Sequence, residues 1–93
     1  MEGFDKTRLA LLRLADNVHD AEATQILLQE NCALFAVALE KWFGVDYSDR
    51  IMLDLVKHLG KRACYYDPAS NPVVWLNSCL DLECRRMLRE KGH

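Results

Sequence analysis

The chain has 93 residues, of which 51% are apolar and 28% charged, and a net charge of −2. That length supports one domain around one core, and the composition excludes a disordered chain. The charge argues against a dedicated nucleic-acid binder, yet it is unevenly spread: residues 1–49 sum to −5 and residues 50–93 to +3.

Glycine (4) and proline (2) are scarce, which favours helices over a sheet with many turns. The spacing predicts a first helix over 5–17. Phe4, Leu11, Leu14, Ala15 and Val18 share one face, and Lys6, Arg13, Asp16 and Asn17 lie opposite. This opening segment is acidic and has no continuous apolar stretch, so no secretory leader is expected. The longest apolar run, "CALFAVAL", falls far short of the roughly 20 residues that cross a bilayer. No membrane partner is therefore expected, and the cytoplasm is the expected compartment, with the four cysteines as reduced thiols.

Asn17 can end the first helix and Asp20 can cap the next. No Gly or Pro enforces a break there, so one long bent helix is the alternative. The second helix is predicted over 21–43 and ends at Gly44. Leu28, Phe35, Leu39 and Trp42 form its strongest stripe, and Asn31 falls inside it. A buried amide there needs partners, either within the core or across a dimer axis.

A third helix is predicted over 48–62, with Ser48 as its cap. Ile51, Met52, Leu55, Val56 and Leu59 form the inner side, while Arg50, Lys57 and Lys61 line up outside. Asp54 lies four residues from both Arg50 and His58, within reach of each. "YYDPASNP" reads as a loop, followed by a fourth helix over 72–91 with Asn71 as cap and Pro72 in the first turn. Its core stripe is Val73, Leu76, Leu80, Cys84 and Met87. A second stripe runs through Trp75, Cys79 and Leu82 to Arg86 and Arg89, with Glu83 and Glu90 between the two.

The cysteines at 32, 64, 79 and 84 contain no CxxC pair. Five residues turn a helix by about 140° net, so Cys79 and Cys84 can share neither a disulfide nor a metal on an unbroken helix. A site assembled from Cys32, Cys64, His19 and His58 would need those residues to converge from separate helices. Cys79 to Arg85 matches the bare C-x5-R loop pattern of protein tyrosine phosphatases. "LDLEC" lacks the glycines of a phosphate cradle and carries two acids, so the match is to the pattern only. No HExxH, phosphate-binding glycine loop or dinucleotide fingerprint occurs.

These features predict an all-α, single-domain bundle of four helices and a non-enzymatic role without cofactor or metal. The expected function is a protein–protein interaction module of regulator, inhibitor, adaptor or chaperone type. Its partner would be another protein or a second copy in a homodimer. The contact would be Trp75, Cys79, Leu82, Arg86 and Arg89, because tryptophan and arginine are typical interface anchors. One alternative is a nucleic-acid-associated regulator using Arg50, Lys57 and Lys61. Another is a thiol- or metal-dependent protein.

Overall fold

The structure, a computed structural model, describes the backbone of residues 2–90 and the side chains of residues 5–90. It is all-α. Helix α1 spans Glu2–Asp16, α2 Ala21–Glu30, α3 Cys32–Phe43, α4 Asp49–Arg62 and α5 Pro72–Glu90, with one 3₁₀ turn at Ala63–Tyr65. Phe4 and Lys91, assigned above to helix faces and ends, lie outside the described side chains.

Local chemistry sets most of the boundaries. The Asp20 carboxylate accepts from the Ala23 amide at 3.0 Å and starts α2. Ser48 Oγ accepts from Ile51 N at 3.3 Å and starts α4. Asn71 Oδ1 accepts from Val73 N and Val74 N at 2.9 and 3.3 Å, so Pro72 can occupy the first turn of α5. Gly44 ends α3 with φ of 87°, a backbone conformation that L side chains rarely adopt.

The helix expected over 21–43 is two helices, which raises the count among the described residues from four to five. The break is at Asn31, whose φ and ψ of −128° and 23° leave the helical path. Its amide nitrogen donates to the Leu27 carbonyl at 2.9 Å and to Thr7 Oγ1 at 3.1 Å. Asn31 is thus a satisfied buried amide within one chain, with Thr7 of α1 buried beside it. The inner face of α1 is Thr7, Ala10, Leu11 and Leu14, whereas Ala15 and Val18 are exposed.

The core gathers Leu11, Leu14, Leu27, Phe35, Leu39, Leu55, Leu59 and Leu76, all with no exposed surface. Each such side chain contributes about 1.5–3 kcal/mol through burial. Helix α1 packs against α2, α4, α5 and the 3₁₀ turn, and α5 packs against α1, α3 and α4. The last helix is therefore covered on several sides by its own chain. No described helix is long and apolar enough to cross a membrane.

Candidate functional site

The stripe expected to form a protein interface divides between interior and surface. Trp75 is half-buried, with its ring packed edge-to-face on Tyr66 at 5.5 Å and 70° between planes. Tyr66 is itself buried; its hydroxyl donates to the Ser70 carbonyl at 2.8 Å and accepts from Arg8 Nε at 3.3 Å. Cys79 is buried by its own chain, so it belongs to the core and not to a free face. Burial pushes its thiol pKa up, partly opposed by Arg62. Burial and, less strongly, Asp81 raise Cys84 to about 11. Neither thiol is set up as a thiolate nucleophile, and both sit on one continuous helix instead of a phosphate loop. Leu82 is 49% exposed, Arg89 is exposed and Arg86 is partly covered.

What the helix packing creates instead is an open cleft of about 660 Å³, lined by His58, Lys61 and Arg62 of α4, Tyr65 of the 3₁₀ turn, and Glu83 and Arg86 of α5. Among the lining residues is Glu83, read above as a separator between stripes but only 1% exposed. One Glu83 carboxylate oxygen accepts from Arg62 Nε of the facing helix. The other accepts from Arg86 Nε and Nη2 at 3.1 and 2.5 Å. Arg86 Nη1 also donates to Glu90 at 2.6 Å. A buried carboxylate without such donors would be strongly disfavoured; here two cations satisfy it.

Both guanidinium groups remain partly open to water, with side-chain exposures of 38% for Arg62 and 29% for Arg86. Lys61 is exposed beside them, and Tyr65 is 79% exposed. His58 Nδ1 lies 2.7 Å from the Asp54 backbone carbonyl, not its carboxylate. A carbonyl oxygen can only accept, so Nδ1 carries the proton.

Lys57 and Arg50 continue the exposed basic side of α4. Lys57 and Lys61 also edge a second cleft of about 400 Å³, next to Val18, His19, Ala21 and Gly60. Among the described residues, Arg50, Lys57 and Lys61 form no ion pair with an acid. Arg85 instead lies over the Trp42 ring at 5.6 Å, and that indole donates to Asp81 at 3.1 Å. Arg85, though exposed, is thus directed to α3 and does not line the cleft.

The structure brings Lys57 to the smaller cleft, Lys61 to both and Arg86 into the larger one. Sequence reasoning missed Glu83, Arg62 and Tyr65. The one available signal was an acid on an inward-turning position of α5, three residues before Arg86. Cys32 and Cys64 are exposed, and among the described residues no three His, Cys, Asp or Glu side chains gather as metal ligands would. No protein-family model, curated protein or solved structure matches this chain.

Proposed function

We propose that this chain is a small, non-enzymatic, nucleic-acid-associated regulator whose working surface is the basic cleft between α4 and α5. The observation that carries the reading is the meeting of Lys61 and Arg62 with Arg86 from another helix, beside the exposed ring of Tyr65. Cations from two elements can track a phosphate backbone, and an aromatic ring offers a surface on which a base stacks. The acids of the first half do not decide the matter. Interactions between exposed charges fade over about 8–10 Å at physiological salt, so the ligand responds to the local cations more than to the net charge of −2.

The test is oligonucleotide binding by fluorescence anisotropy as salt is raised. Wild-type affinity is expected to fall linearly on a log–log plot. Lys61→Glu should weaken binding and reduce the slope by about one. Binding that ignores this charge reversal, or no binding at low salt, overturns the proposal.

A second reading keeps a protein partner, another protein or a second copy, at the outer side of α5. The exposed Leu82 favours it, because an apolar side chain near Arg86 and Arg89 has the makings of an interface anchor. It predicts a mass above the monomer by light scattering that Leu82→Glu abolishes. A monomeric wild type would leave only a different protein as partner.

A further inference from the structure

We infer that Glu83 is a positioning residue: its buried carboxylate fixes Arg62 and Arg86 as one paired site for a phosphate group. The inference rests on the nucleic-acid reading above and names the group that the cleft would hold. Arg62 ends α4 and Arg86 lies within α5, so no backbone hydrogen bonding relates their side chains. Glu83 relates them. Each of its oxygens is committed to a different arginine, and its own side chain is 2% exposed.

The geometry leaves donors over. A guanidinium has five N–H groups. Arg62 uses Nε on Glu83, and among the described hydrogen bonds both of its Nη groups are uncommitted. Arg86 uses Nε and Nη2 on Glu83 and Nη1 on Glu90. Glu90 is exposed, so a stronger anion can displace it from Arg86. Two long side chains that would otherwise lose rotamer freedom on binding are already ordered, which preserves affinity. A phosphodiester accepts paired N–H donors from guanidinium groups well. Lys61 and His58 flank the same cleft.

The inference makes a prediction opposite in sign to simple electrostatics. Glu83→Gln raises the charge of the cleft by one unit. If Glu83 were only a nearby negative charge, oligonucleotide affinity would rise. If it positions the arginines, affinity falls about tenfold, because the amide NH2 that replaces one carboxylate oxygen donates and cannot accept from the guanidinium facing it. The salt slope would also shrink by about one.

The probe is a short fluorescein-labelled oligonucleotide, titrated by anisotropy, with circular dichroism melts confirming folded protein. Weaker binding with a smaller slope supports the inference. Tighter or unchanged binding overturns it while leaving the nucleic-acid reading intact. Failure of the wild type to bind removes both.

Should Glu83→Gln not fold, Arg62→Lys and Arg86→Lys provide a second route, since each keeps a cation beside the buried Glu83 but loses the guanidinium's paired donors. A paired site predicts that the double variant loses little more than the worse single one. Additive losses would mean two independent cations and no site.

Discussion

Two buried polar residues, Asn31 and Glu83, hold helices together, and they do it differently. Asn31 is closed. Its amide donates to Leu27 of the preceding helix α2 and Thr7 of α1, and those partners lie inside the protein. Glu83 is open. Its partners Arg62 and Arg86 are bound by it at one end and reach water at the other. A closed polar network specifies a fold, here the break between α2 and α3. An open one orders charges at a surface, which a site for anions requires. The contrast separates the α1–α3 region, where polar groups serve architecture, from α4–α5, where the proposed function has them serve recognition.

The largest expected effect that can break this comparison is on stability at the closed site. Asn31→Ala strips Thr7 and the Leu27 carbonyl of a buried partner and should cost about 1–3 kcal/mol, read from urea unfolding. Oligonucleotide affinity should not change. A variant that loses binding while keeping stability would remove the distinction between the regions.

The complementary change is Tyr65→Ala. With 79% of this residue exposed, stability should hold. Affinity for single-stranded oligonucleotide should fall by about 1–2 kcal/mol through lost stacking, and duplex affinity should fall less. Equal effects on both would assign Tyr65 no stacking role.

A smaller effect belongs to the turn between α1 and α2. Arg13 donates from Nε and Nη2 to the two Asp20 oxygens at 3.0 Å each, and from Nη2 to Glu22 at 2.8 Å. The Ala23 amide, and then Arg13, hold the Asp20 pKa below the ordinary aspartate range against a desolvation that raises it. A pKa depressed on folding contributes stability that is complete above the unfolded-state value. That contribution disappears as pH falls through the folded-state value. Asp20→Asn keeps a capping oxygen but cannot titrate. Its urea midpoint should therefore drop less than the wild type's between neutral pH and about pH 3. Identical acid sensitivity would show that this turn is not held by charge.

The smallest effect is on reactivity. Native protein treated briefly with iodoacetamide should take two adducts, at the exposed Cys32 and Cys64, and four after denaturation. Prompt labelling of Cys79 or Cys84 would mean that α5 is less enclosed than its packing shows.

What could be read from the sequence was local. Asp20, Ser48, Asn71 and Gly44 act on backbone a few residues away, and each was found at the helix boundary where it stands. The all-α class followed from apolar spacing in the same way. The break at Asn31 did not, because it depends on Thr7, 24 residues earlier in the chain. A polar residue on an inner face looks like an interruption until its partner is known. Glu83 was hidden for the same reason, since Arg62 lies 21 residues away and on another helix. Lys57 and Lys61 were legible as an exposed basic side because a regular helix displays its outer face directly. The α4–α5 cleft that Lys61 lines exists only through the packing of α5 on α4.

The central claim is that the α4–α5 cleft is where anionic polymer binds. Amide chemical-shift mapping during titration with an oligonucleotide tests it most directly. Perturbations should cluster at residues 57–65 and 83–89 and spare the closed region around Thr7 and Asn31. Shifts concentrated on α1 and α2, or none at low salt, would contradict it.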